Sequence, residues 1–217
     1  NTIFLIILAL GFLSSVMTAI IAALILCEVV SALSLDRKYE VKMVVCACYA
    51  IGLGAVLTPI GEPLSTIVTS KLKGPPHNAD FFFLAKLLFW WVAPGILAAA
   101  WFAVHGQVTK KVSPEQSLQE DAPEKNKDIA VRAGKVYLFV MALVYLGNGL
   151  LPLAEKAVGS LADWQLYWLN TASAVLGNAT LAAAEIVPSM SRNQILALNM
   201  GLLLSGGMLI PGNIPNI

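Results

Sequence analysis

Thr58-Pro-Ile-Gly-Glu-Pro63 interrupts an apolar stretch at a depth where an ordinary membrane helix would continue. Ile210-Pro-Gly-Asn-Ile-Pro215 repeats the same punctuation in the second half of the chain: two prolines four residues apart around glycine and a polar side chain. A helix broken inside a bilayer exposes backbone groups that lipid cannot satisfy. Each break must therefore be buried in protein or line a cavity that holds an ion or substrate. The expectation that follows is an all-α polytopic membrane protein with a transport function.

Composition supports that class. Hydrophobic residues are 58% of the 217 and charged residues only 12%, and the apolar residues fall in long blocks instead of a narrow stripe. The formal net charge of +1 and the absence of a basic stripe argue against a nucleic-acid partner. Cys27, Cys46 and Cys48 lie in apolar segments and read as small packing residues, since Cys46-Ala-Cys48 has no second ligand pair. There is no phosphate-binding glycine loop, no zinc spacing and no nucleophile–base pair, so neither an enzyme nor a bound cofactor is expected. The chain opens without methionine and closes directly after the second break, as a portion of a longer protein would.

Ile3 to Leu35 holds 33 residues with a single charge, Glu28. As one helix it would span about 50 Å, against a hydrocarbon core of about 30 Å. It is therefore expected to fold in two at Gly11-Phe-Leu-Ser-Ser15, a re-entrant hairpin with Ser14, Ser15 and Thr18 at its tip. A second helix runs from Val41, breaks at Thr58 to Pro63 and resumes to about Ser70. Phe81 to Val104 is an ordinary span, with Lys86 near enough to its start to snorkel. Val136 to Leu153 is another. Trp164 to Met190 repeats the first bent run, with its bend at Gly177-Asn178, and Gln194 to Leu209 leads into the second break. Residues 1–105 are thus a first membrane repeat of hairpin, broken helix and span. Residues 106–135 form an extramembrane linker. Residues 136–217 form a second repeat of span, hairpin and broken helix, ending before the helix that would complete it.

Ala22-Ala-Leu-Ile-Leu-Cys-Glu-Val-Val-Ser31 lies over Ala179-Thr-Leu-Ala-Ala-Ala-Glu-Ile-Val-Pro188 with four identities in ten. A doubled proline break follows each, which argues for an internal repeat. If both bent runs return to their own side, the broken helices point in opposite directions and the repeats are inverted. One face then carries Arg37, Lys38, Lys42 and the basic residues of the linker through Lys135, nine in all. The other carries four: Lys71, Lys73, Lys156 and Arg192. The positive-inside bias makes the first face, with the linker, cytoplasmic.

Glu62 is the most pointed candidate. A carboxylate near the membrane midplane is expensive and by default functional, facing a cavity, a cation or a proton. Thr58, Ser65 and the carbonyls freed by Pro59 and Pro63 supply oxygen of the kind sodium uses. Asn213 is its neutral counterpart in the second half. Asn178 and Thr180 match the role of Ser14, Ser15 and Thr18; Asn178 also suits a helix–helix hydrogen bond. Glu28 and Glu185, each about ten residues beyond a bend, read as a repeated anchor at the hairpin bases.

With Gly52-Leu-Gly-Ala-Val-Leu-Thr-Pro-Ile-Gly-Glu-Pro-Leu-Ser65, Asn178-Ala-Thr-Leu-Ala-Ala-Ala-Glu-Ile186 and Gly206-Gly-Met-Leu-Ile-Pro-Gly-Asn-Ile-Pro-Asn-Ile217 in hand, the chain resembles the ion transporter superfamily. The resemblance is to its prokaryotic cation-transporter branch, related to NhaD-type sodium/proton antiporters, arsenite permeases and the magnetosome membrane protein MamN. It implies an inverted-repeat secondary transporter of the prokaryotic inner membrane, working by alternating access within a homodimer or larger membrane complex. Sodium and the proton would be its coupling ions. Carried over by position, ion-binding groups would come from the hairpin tips at Ser14, Ser15, Thr18, Asn178 and Thr180. The breaks would add Thr58, Gly61, Glu62, Gly212 and Asn213, with sodium candidates at Glu62, Thr58, Asn178 and Asn213. Relatives frequently carry Asp immediately before the asparagine of the second hairpin, where this chain has Gly177. Two other functions stay open at this point. One is an oxyanion or carboxylate permease, because hairpin-helix N-termini favour an anion. The other is a non-transporting structural subunit of a membrane assembly.

Overall fold

The computed structural model describes residues 2–33, 37–105, 160–173 and 177–207, with scattered positions between 131 and 158. Among these residues every regular element is a helix. They are α1 (Thr2–Leu13), α2 (Ala19–Leu33), α3 (Arg37–Ala55), α4 (Pro63–Lys71), α5 (Phe83–Val104), α6 (Asp163–Ser173), α7 (Asn178–Glu185) and α8 (Arg192–Gly206). The bend expected in the first apolar run, the interruption before Pro63 and the bend at Gly177-Asn178 are all present. The 106–130 part of the linker and the second break at 210–215 lie outside the described residues.

Helix α1 stops because its last polar residues bond backward. Ser14 Oγ lies 2.6 Å from Gly11 O, and Ser15 Oγ donates to Phe12 O at 2.7 Å. Both offer the backbone an alternative to continuing the helix. Thr18 Oγ1 then accepts from Ile21 N at 3.4 Å, opening α2 as an N-cap would. α3 ends at Ala55, three residues before Thr58. α4 begins where Pro63, at its first position, has no donor to lose.

The chain's two ends of packing are pinned by long side chains. At one end Lys42 Nζ donates to His105 O, joining the start of α3 to the end of α5. Phe4 of α1 shares a cavity of about 350 Å³ with Trp101, Val104 and His105 at that same end. The α1–α2 hairpin thus starts and finishes near the start of α3, while its tip reaches the break. At the other end Lys71 Nζ donates to Ala183 O and Ile186 O. His77 Nε2 lies 3.1 Å from Pro188 O and 2.9 Å from Met190 O, both acceptors, so Nε2 carries a proton and donates. Gln194 Nε2 donates to Leu161 O at 2.8 Å, bringing the starts of α6 and α8 together. Arg37, Lys38 and Lys42 therefore stand at one end, and Lys71, Lys73 and Arg192 at the other.

Helix pairs repeat in the two halves. α1 packs on α3 and α6 on α8, while α2 packs on α3 and α7 on α8. Each first-arm crossing uses a glycine. A Cβ on Gly54 would lie 1.6 Å from Gly11 O, and one on Gly201 would lie 2.5 Å from Tyr167 O. The buried core runs continuously from Ile7 and Ile51 through Leu88 and Ile96 to Leu166 and Leu198. α5, 22 residues long, is long and apolar enough to cross a membrane. Lys86 near its start bonds Asp80 Oδ2 at 2.6 Å, and this bond holds the Asp80 carboxyl below its ordinary range.

Candidate functional site

Residues 56–62 carry the chain between α3 and α4, and the tip of the first hairpin is bonded directly to them. Thr58 Oγ1 donates to Ser15 O, and Ala19 N, the first residue of α2, donates to Gly61 O at 2.9 Å. Ser14, fully buried, reaches Ile51 O at 2.9 Å in α3. Most of the oxygen expected to await an ion is thus engaged within the protein. Gly61 O is taken by α2. Pro59 O, the carbonyl deprived of a partner by Pro63, accepts from Thr66 Oγ1 instead. Glu62 O accepts from Thr66 N and from Ser65 Oγ at 2.8 Å. Hydroxyls that spend their proton on a carbonyl still hold lone pairs, so Thr58 and Ser65 retain acceptor capacity.

Glu62 is the exception to this internal satisfaction. It occupies the N-cap of α4 with extended backbone (φ −155°, ψ 160°), yet its side chain caps nothing. The residue is 4% exposed and its Oε1 is buried without a hydrogen-bond partner. An ionised carboxylate in that state costs several kcal/mol unless a proton or cation compensates it.

Asn178 supplies a second unspent group at the same level. Helices α4 and α7 pack side by side, and two contacts fix their direction. Lys71, the last residue of α4, bonds Ala183 and Ile186 at the end of α7, while Ile67 packs on Ala183 and Ala179. The two helices therefore run parallel, and Glu62 and Asn178 stand at their shared N-terminal end. Asn178 is 8% exposed. Its Oδ1 accepts from Ala179 N at 2.8 Å, and its Nδ2 is buried with no partner. Both helix N-termini direct positive dipole ends toward this level. Gly177 precedes Asn178 with φ +89°, a conformation side-chain-bearing residues rarely adopt, so glycine at this position serves a backbone need.

The structure brings Ser15, Thr58, Gly61 and Glu62 together, and sets Asn178 level with Glu62. Thr180 is half-buried on the first turn of α7. Gly212 and Asn213 lie outside the described residues. The anchor expected from Glu28 and Glu185 is not a shared one. Glu28 is exposed, whereas Glu185 Oε2 accepts from Asn170 Nδ2 at 2.8 Å. The difference follows from the setting: α6 offers Glu185 a buried amide, while Glu28 lies on the exposed side of α2.

Sequence reasoning missed Thr66, Asn170 and the Lys71–His77 ties. Lys71 read only as one of the basic residues of one membrane face, although a cation near a helix C-terminus is the ordinary partner of its last carbonyls. Hydrogen bonds from charged groups contribute about 1.5–3 kcal/mol each. Lys71→Met is therefore expected to speed amide exchange across α7 by about tenfold or more. Hydrogen–deuterium exchange reads this directly, with α6 and α8 as internal controls that stay unchanged.

What the described residues define is an all-helical protein with a helix long and apolar enough to cross a membrane and a carboxylate buried at an interruption between two others. The chain belongs to the family described as "Protein of unknown function (DUF1646)", whose profile matches residues 1–217. No curated protein and no solved structure matches it.

Proposed function

We propose that this chain is a membrane-embedded secondary transporter of the ion transporter superfamily that exchanges sodium for protons by alternating access. In this reading the repeats are inverted, with the α1–α2 hairpin opening at the Lys42–His105 end and the α6–α7 pair at the Lys71–Met190 end. α3 and α4 form one broken transmembrane helix. Large apolar side chains on the outside, such as Leu24, Trp90 and Phe102, face lipid. The protein resides in the prokaryotic cytoplasmic membrane with the 106–135 linker on the cytoplasmic side, as a homodimer or within a larger membrane complex.

The observation that carries the reading is Glu62: a buried carboxylate that neither caps its helix nor finds a partner at Oε1. Sodium there would be held by that carboxylate, the Thr58 hydroxyl and Asn178 Oδ1, all hard oxygen donors. Release of sodium leaves the carboxylate to take a proton, so one charge site serves two cations in turn. A second reading, uptake of an oxyanion or carboxylate, is favoured by Asn178 Nδ2 and the two N-termini. Against it, the only charge at this level of the described residues is negative.

Reconstitution of the protein in liposomes separates the two. A sodium pulse is expected to move protons in the opposite direction, read by a trapped pH dye, and an inward oxyanion gradient is expected to move nothing. Oxyanion flux without sodium or proton coupling overturns the cation reading.

A further inference from the structure

Away from the Glu62 level, a groove of about 500 Å³ opens between α5, α6 and α8. Asp163, the first residue of α6, and Asn193, in the first turn of α8, stand at its mouth. Inward from them the wall is apolar: Leu196, Met200 and Leu204 follow Asn193 along one face of α8, and Trp91 closes the side from α5. From Asn193 to Leu204 is about 16 Å along the helix axis, close to half of the roughly 30 Å hydrocarbon core of a bilayer. The carboxylate and the amide, Asp163 and Asn193, are confined to one end. A groove of one leaflet's depth, polar at the membrane surface and apolar below it, has the polarity profile of a single lipid.

The mouth also specifies the headgroup. Asp163 is exposed, and Arg192 stands exposed beside Asn193. The carboxylate suits a cation and the Asn193 amide can donate to a phosphate. An ammonium donates hydrogen bonds to a carboxylate, whereas a trimethylated nitrogen has no proton to give.

We infer that this groove is a binding site for a zwitterionic phospholipid with a primary ammonium headgroup, of the phosphatidylethanolamine class. Its acyl chain lies along Leu196, Met200 and Leu204 and its ammonium on Asp163. The inference rests on the membrane reading above but not on the identity of the transported ion.

Native mass spectrometry of the full chain, released from nanodiscs of equal phosphatidylethanolamine, phosphatidylcholine and phosphatidylglycerol, tests it. The ethanolamine lipid should be retained about tenfold over the choline lipid, the size of one charge-assisted hydrogen bond. Asp163→Asn, at an exposed position, should bring that ratio near one. Met200→Trp, which fills the groove, should abolish retention while insertion into nanodiscs persists. Equal retention of the two zwitterionic lipids by the unaltered chain overturns the assignment. So does an ethanolamine preference that survives Asp163→Asn, or a preference for the anionic lipid. A chain that inserts in bilayers yet retains no lipid defeats this inference alone, whereas one that fails to insert at all defeats the membrane reading.

Discussion

Gly54→Val is expected to abolish the folded protein, the largest stability effect of any single substitution among the described glycines. The ideal Cβ at this position would sit 1.6 Å from Gly11 O, 2.7 Å from Gly11 C and 2.6 Å from Ser14 Oγ. Backbone, not a flexible side-chain end, is what it meets. α1 and α3 cross there with no room for a Cβ between them, and the same crossing lets Ser14 reach Ile51 O. Relief would require α1 to withdraw, and a Cβ on Gly11 would itself be 2.8 Å from Ile96 Cγ2 of α5, so the helix is hemmed in from that side as well. Overpacking usually costs roughly 1–3 kcal/mol, and a clash with backbone on this scale belongs above that range. Displacing α1 also pulls Ser15 and Ala19 off Thr58 and Gly61, so the hairpin tip and the break separate together. Thermal unfolding in detergent, followed by tryptophan fluorescence, checks the effect. Gly74→Ala is the matched control: no atom lies within 4 Å of the Cβ it would add, and its midpoint should stay where it is.

The elements that were legible in the sequence are those set by a local rule. Proline at 59 and 63 dictates an interruption whatever surrounds it, and α4 begins at Pro63. Gly11, Ser14 and Ser15 announce a bend because serine can bond its own preceding turn, and α1 ends at Leu13. Glu62 stood out because charge is rare in such a stretch, and it is the carboxylate left without a partner at Oε1. What local rules do not reach is where a freed carbonyl finds its donor. Thr66 takes Pro59 O from within α4, while Ala19 takes Gly61 O from another helix. Lys71 caps a helix more than 100 residues further along the chain. Ser14 and Ser15 have the chemistry of ion ligands, but Ser15 spends its proton on Phe12 O within its own helix end, and Ser14 lies within reach of both Gly11 O and Ile51 O of α3. The parallel setting of α4 and α7 was equally hidden, since it is fixed by contacts between residues more than 100 apart in the chain.

On the sodium/proton exchange proposed above, Glu62→Gln should abolish coupled exchange without harming the fold. Glutamine keeps the shape of the side chain, so the packing beside Pro63 and Ser65 is preserved, and the helix loses no cap because the carboxylate provides none. The bonds around it use the Glu62 backbone carbonyl, which the substitution leaves in place. Stability should therefore be equal or higher: removing a buried, uncompensated charge takes away a cost of several kcal/mol, at the smaller expense of burying an amide. Transport is affected in the opposite direction. An amide neither exchanges a proton nor balances the charge of sodium, so the variant should show sodium-driven proton flux at least about a hundredfold below the unaltered protein, a loss of roughly 2.8 kcal/mol or more in the cation-bound state. The unaltered protein carries a further signature. If sodium and a proton compete for one carboxylate, each weakens the other's binding by reciprocal linkage, so the apparent sodium KM should rise as pH falls, by up to about tenfold per pH unit where the proton holds the site. Initial rates of dye quenching across a sodium series at several pH values measure this. A sodium KM independent of pH, or full exchange by the glutamine variant, would place the coupling elsewhere in the chain.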